Sequence, residues 1–205
     1  MKRLLILLSI AAFLLSCSAS RTDKDWKIYV HPKGWHASDP VAVQFGKWPG
    51  VFQMQVMFDS TCKYVFYTST GAIAENQYDY NKAGGWSFDE VSARKNSCMM
   101  GWRYGVESRK IELTFYHQSQ GVAVHHTDPV HAVGFNQVAT YTMIPDYSTG
   151  EIYESIEASG VTVENSFTMP DITAPKGHTG REINAWFGGN EKTPHKMYIL
   201  KKRIK

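Results

Sequence analysis

Lys110-Ile111-Glu112-Leu113-Thr114-Phe115-Tyr116-His117 decides the fold class of this chain. Ile111, Leu113 and Phe115 fall on one side of an extended strand, while Glu112, Thr114 and Tyr116 fall on the other. This is the period-2 alternation of a half-buried strand. Gln118-Ser119-Gln120-Gly121 follows and can turn the chain back into Val122–His126, making a hairpin. Outward from this point the same grammar recurs: short runs rich in aromatic and β-branched residues, cut by glycine, proline, asparagine and aspartate. It predicts strands at Lys27–His31, Val41–Phe45, Val51–Phe58, Tyr64–Thr68, Met99–Tyr104, Ala132–Ile144, Glu151–Ala158, Val161–Met169, Arg181–Phe187 and Met197–Ile204 as well. A second hairpin is expected across Ala158-Ser159-Gly160. No stretch carries an amphipathic helix of more than about two turns. Many short strands with turns at close spacing make an antiparallel sandwich or barrel. Pro170–Gly180, with its two prolines and two glycines, reads as a long loop.

The start of the chain follows a different rule. Met1-Lys2-Arg3 is basic, Leu4 to Leu15 is an apolar run too short to span a bilayer, and Leu14-Leu15-Ser16-Cys17 closes it. A small residue before a cysteine resembles the lipobox of bacterial lipoproteins. The resemblance implies a signal peptide over 1–16, lipidation of Cys17, a lipidated tether over 17–25 and one domain over 26–205. It also implies a place in the bacterial cell envelope, anchored to a membrane through the lipid. The outer membrane is favoured; the periplasmic and surface faces both stay open.

Losing Lys2 and Arg3 with the signal brings the formal charge of the 205-residue chain from +3 to about +1. A nearly neutral body excludes the basic stripe of a nucleic-acid binder. Lys201-Lys202-Arg203-Ile204-Lys205 is the one local excess and reads as a solvated last strand. With Cys17 assigned to lipid, two cysteines remain. Cys62 and Cys98 can pair as a disulfide in an exported protein, or sit apart as small buried thiols.

Asn96-Ser97-Cys98-Met99-Met100-Gly101-Trp102-Arg103, followed by Ile111-Glu112-Leu113 and Tyr116, resembles a strand pair of small all-β bacterial proteins. Ile183-Asn184-Ala185-Trp186-Phe187-Gly188-Gly189-Asn190 with Pro194-His195 resembles the closing strands of the same group. It is also similar to the close of some jelly-roll polysaccharide-acting proteins. The resemblance implies an all-β, antiparallel two-sheet β-sandwich of the concanavalin-like jelly-roll type, in which sugar binds on or beside the concave sheet. Neither stretch holds an established catalytic residue. Their glycines and aromatics also suit plain folding roles: a tight turn at Gly188-Gly189, and a sheet bending beneath a large ring at Gly101-Trp102.

His125-His126-Thr127-Asp128-Pro129-Val130-His131 is the densest polar cluster, but its spacing is poor for a metal. His125 and His126 point opposite ways in a strand, and Asp128-Pro129 reads as a turn. A solvated loop is the expectation, with no metal and no cofactor. The outward residues on the presumed middle strands are Arg103, Glu112, Tyr116, His125 and Asn136, and these are the candidate ligand-binding set. Arginine offers a planar fork for a uronate or sulfate, and tyrosine a flat ring for a sugar face. Arg103, Tyr116 and His125 are the catalytic suspects, since a histidine or tyrosine beside an arginine can take a proton next to a carboxylate. Hydrolysis would need two carboxylates on one face. Glu151, Glu154 and Glu157 are spaced by three, so in a strand they cannot all face one way, and hydrolysis is the weaker enzymatic option.

The sequence therefore leads to a lipid-anchored envelope protein that binds a glycan or polysaccharide. A polysaccharide lyase, or less readily a glycoside hydrolase, is the enzymatic alternative. A structural or partner-binding envelope subunit without a small ligand is the third class.

Overall fold

The computed structural model describes residues 25–41, 44–125, 128–173 and 178–205. The signal segment, Cys17 and the tether up to residue 24 lie outside these, as does His126. Among the described residues thirteen strands appear in chain order: β1 Lys27–His31, β2 Phe45–Lys47, β3 Phe52–Phe58, β4 Asn81–Ser87, β5 Asn96–Gly105, β6 Lys110–Ser119, β7 Val122–His125, β8 His131–Val133, β9 Val138–Asp146, β10 Glu151–Ala158, β11 Val161–Thr168, β12 Thr179–Ile183 and β13 Met197–Arg203. The helical content among the described residues is three single turns of 3-10 helix, at Ser60–Cys62, Glu75–Tyr78 and Pro170–Ile172.

The strands form two antiparallel sheets. The first runs β1-β13-β3-β9-β10-β11 and the second β2-β12-β4-β5-β6-β7, with β8 paired to β6 beside this path. Alternation sets which side of each strand is interior. Phe52, Met54, Val56 and Phe58 of β3 are buried while Gln53, Gln55 and Met57 between them are not. From the second sheet Met100, Trp102, Ile111, Leu113 and Phe115 enter the same core. Each such side chain contributes about 1.5–3 kcal/mol by leaving water, which outweighs the weak strand preference of any one residue.

Both expected hairpins form. Gln120-Gly121 and Ser159-Gly160 take positive φ at both turn positions, at 51° and 83° and at 54° and 77°, the geometry that suits a two-residue connection. Ala132–Ile144 is not one strand. It breaks at Gly134–Gln137, where Asn136 sits at φ 60° and its N–H donates to the Phe58 carbonyl at 2.8 Å. Tyr64–Thr68 is not a strand either, beyond one bridge between Tyr67 and Ile73. Its backbone is served by a side chain: the Phe66 N–H donates to Gln77 Oε1 at 2.9 Å, and Gln77 Nε2 donates to the Tyr64 and Tyr104 carbonyls at 3.4 and 2.8 Å. β4 was not foreseen.

Cys62 and Cys98 are free. Cys62 closes the 3-10 turn after β3, and its Sγ donates to the Tyr198 carbonyl at 3.2 Å. Cys98 faces the core from β5, in register with Trp86 and His117. Cys62 sits in the turn after β3 and Cys98 within β5, both buried and unpaired, so the structure has the two separate thiols and not the disulfide. The basic last strand is not simply solvated: Lys201 is buried and pairs with Glu182 of β12 at 2.8 Å, tying one sheet to the other.

Candidate binding face

The second sheet turns one face to the core and the other outward. Register places Lys82 of β4 opposite Gly101 of β5, and Gly101 opposite Thr114 of β6. One row along, Met99 opposes Tyr116, and Tyr116 opposes His125 of β7. These outward positions are not washed by solvent. Tyr80, Met99 and Tyr116 form a small apolar cluster with Ile183 against it, and Tyr116 is only 8% exposed. The centre of the face is thus a sheltered floor.

Gly101 makes that floor possible. A Cβ there would lie 2.7 Å from the Thr114 methyl, 3.4 Å from Tyr80 Cβ and 3.5 Å from Tyr116 Cβ. With glycine beneath them, the two tyrosines close over the strand, as expected of a sheet yielding to large rings.

Lys82 lies beside them. Its Nζ stands 4.2 Å from the centre of the Tyr116 ring and donates to the Tyr80 carbonyl at 3.0 Å. Among the described residues it makes no ion pair. Burial pushes its pKa down to about 8; Asp79 pulls the other way and Arg94 adds to the fall. The Tyr116 hydroxyl is pushed upward, first by burial and then by Asp79, while Arg94 opposes. Lys82, Arg94, Asp79 and Tyr116 therefore share one electrostatic neighbourhood.

The residues expected from sequence divide sharply. Tyr116 is at the centre of the face. Arg103 and Glu112 lie on it but are occupied with each other, Arg103 Nε donating to Glu112 Oε2 at 2.8 Å. Arg103 also donates to the Tyr78 carbonyl at 2.7 Å and lies over the Tyr80 ring at 4.4 Å, while Ser108 holds the second Glu112 oxygen at 2.9 Å. Both side chains are nearly covered, at 12% and 13% exposure. The arginine that was expected to greet a ligand is instead a clamp on the β5–β6 hairpin. The recess beside it, about 120 Å³ between Gln77, Tyr78, Glu107 and this pair, is smaller than the several hundred of a small-molecule site.

Asn136 is removed from the set, because it sits in the turn between β8 and β9 rather than on a middle strand. His125 is placed by the backbone of β7, in register with Tyr116; its side chain lies outside the described residues. The cluster around it is described only in part, and among the described residues no three metal-ligating groups gather. Glu151 and Glu157 share the outward face while Glu154 points inward, so the three do not all face one way; the outward two stand six residues apart along β10, about 20 Å, too far to flank one glycosidic bond.

Lys82, Arg94 and Asp79 were missed. They lie in a stretch without period-2 signal; Asp79 precedes β4 and Arg94 follows it, and both act on Lys82 electrostatically. One edge residue was read for folding alone. Trp186 exchanges both backbone hydrogen bonds with Lys82, at 2.8 Å each, and stands 46% exposed.

No protein-family model matches the chain, and no curated protein matches it. Solved structures do. An alginate lyase from Klebsiella pneumoniae is similar at TM-score 0.50 and 10% identity, over 76% of this chain and 58% of that one. An alginate lyase from a Chlorella virus is similar at TM-score 0.48 and 11% identity, over 86% of this chain and 81% of that one. The seed lectin of Lotus tetragonolobus is similar at TM-score 0.40 and 10% identity, over 89% and 94%. The fold is an antiparallel two-sheet β-sandwich, a jelly roll of the concanavalin-like type. Identity this low speaks to the fold alone.

Proposed function

We propose that this protein binds an acidic glycan across the outer face of its second sheet, with Lys82 and Arg94 meeting the carboxylate or sulfate groups and Tyr116 lying under the chain. One observation carries the reading: Lys82 is a sheltered ammonium against an aromatic ring, with no ion pair among the described residues. A charge withdrawn from water is costly, and an anionic ligand returns what solvent no longer supplies. The alginate lyases among the similar structures are consistent with such a ligand. The lipobox pattern supports a place at the bacterial envelope, tethered through Cys17, where such polymers are met.

A lyase is the second reading, and the same lysine favours it. With its pKa near 8, part of the Lys82 population is free amine near neutral pH. The amine would take the proton from the carbon beside a uronate carboxylate. The β carbon–oxygen bond would then break, a double bond would form, and the leaving oxygen would take a proton from Tyr116, whose raised pKa keeps it protonated.

The deciding experiment is a native affinity gel of the protein against acidic and neutral polysaccharides, with each mixture then checked for shortened chains. Retardation by acidic polymers without shortening makes this a binding protein. Shortening with unsaturated ends makes it a lyase. Retardation by neutral polymers alone, or by none, overturns the assignment.

A further inference from the structure

Trp186 is one of the exposed large aromatics of this chain, and it stands beside Lys82. Trp102 and Phe187 are fully buried, whereas nearly half of Trp186 is open, and Trp35 nearby in the fold is more open still at 62%. Its backbone is held on both sides: Lys82 pairs with it on one edge and Ala37 on the other. Directly paired residues point to the same face, so Trp186 lies on the ligand face beside Lys82.

The ring is braced as well. His36 stacks on it with centroids 5.6 Å apart and planes 9° from parallel. His36 in turn is fixed, its Nδ1 donating to the Phe187 carbonyl at 2.9 Å. Gly188, at φ 99°, leaves room for this stack, since a Cβ there would stand 2.9 Å from His36 Nδ1. The exposed tryptophan is therefore a pre-set surface, not a loose side chain.

We propose that Trp186, backed by His36, is a stacking platform for a pyranose ring one sugar unit along from the unit held at Lys82. The inference rests on the reading of the face as a glycan site and adds to it a direction and a minimum length. Neighbouring strands lie about 4.8 Å apart, close to the length of one sugar unit in an extended chain. The ligand then crosses the strands instead of following one, and at least two linked units are needed for full affinity. An aromatic face takes the C–H face of such a ring, while Lys82 takes the charge of its neighbour.

The test titrates size-fractionated oligouronates prepared from alginate and from pectate into the protein, Trp186→Ala, Trp186→Phe and Lys82→Met, with folding of each confirmed by circular dichroism. The platform predicts that affinity rises from the single sugar to the longer oligomers. Trp186→Ala loses about ten-fold of that rise, Trp186→Phe keeps part of it, and single-sugar binding is unchanged. If Trp186→Ala binds long oligomers as the parent does while Lys82→Met weakens all of them, the platform is wrong and the glycan face survives. If the parent binds none of the oligomers, the face itself is wrong and the platform falls with it.

Discussion

Glu154 of β10 and His117 of β6 meet inside the sandwich, one from each sheet, with the Glu154 carboxyl also receiving the Tyr141 hydroxyl. Glu154 is fully buried and Phe167 stacks on the His117 ring at 3.7 Å. A polar group so placed is stable only while its partners remain. Glu154→Ala is expected to cost about 3–5 kcal/mol of unfolding free energy by denaturant titration. The triple variant Glu154→Leu, His117→Phe and Tyr141→Phe is expected to recover most of that loss, because it removes every polar end of the cluster. If the single variant unfolds like the parent, the cross-sheet pair adds nothing.

Arg103→Ala tests the reassignment of that residue from ligand contact to clamp. It leaves Glu112 nearly covered and without its guanidinium, and it uncovers the Tyr80 ring. The expected cost is about 2 kcal/mol, with glycan affinity little changed in whatever fraction is folded. Full stability combined with lost acidic-glycan affinity would return Arg103 to the binding set.

Why Arg103 was legible as a candidate, and its real use was not, follows from what alternation encodes. The pattern of Lys110–His117 fixes which side of the sheet each residue takes, and the structure agrees at Ile111, Leu113, Phe115 and Tyr116. It says nothing about which neighbour reaches an outward side chain first. Glu112 and the Tyr78 carbonyl occupy Arg103, and the Tyr78 contact arises from a 3-10 turn some twenty-five positions upstream. Tyr64–Thr68 looked like a strand because its residues suit one, but Gln77 supplies the hydrogen bonds that a strand partner would have given. Lys82 was hidden for the opposite reason: its stretch carries no period-2 signal, yet the chain runs there as a strand with a register shift between Lys82 and Gly84.

Lys82 gives the two functional readings opposite pH behaviour. Its folded pKa is lowered to about 8, so in the free protein it loses its charge as pH rises through that value. Binding of an acidic polymer is expected to weaken over that step. Elimination, which uses the free amine, is expected to quicken over the same step while Tyr116 remains protonated. Lys82→Met should remove either trend. A parent profile flat from pH 7 to 9 would dismiss Lys82 from both roles.

His31 sets an acid limit on stability. It is fully buried with its ring edge-on to Phe187, and burial pushes its pKa down to about 4 against a weaker upward pull from the His36 backbone. Between that value and the ordinary 6.5 the unfolded chain binds the proton and the folded chain does not, so stability falls as pH drops through this window. The full effect is about 3 kcal/mol. His31→Leu should flatten the stability profile from pH 6.5 to 4 and leave other slopes alone. An unchanged slope would assign the acid sensitivity elsewhere.

Gly85 tests the strand that sequence did not reveal. A Cβ at this position would fall 2.0 Å from the Cys98 carbonyl oxygen and 2.7 Å from Met99 Cα, both backbone atoms of β5 that cannot step aside. Gly85→Ala must therefore push β4 away from β5, weakening the pairing that brings Lys82 to Tyr116. The expected loss is about 3 kcal/mol or more, together with reduced glycan binding at temperatures where the chain is still folded. Gly50→Ala is the control, since nothing lies within 4 Å of its added carbon, and it should stay within about 0.5 kcal/mol of the parent. Equal stability of the two variants would mean that β4 does not pack against β5 as described.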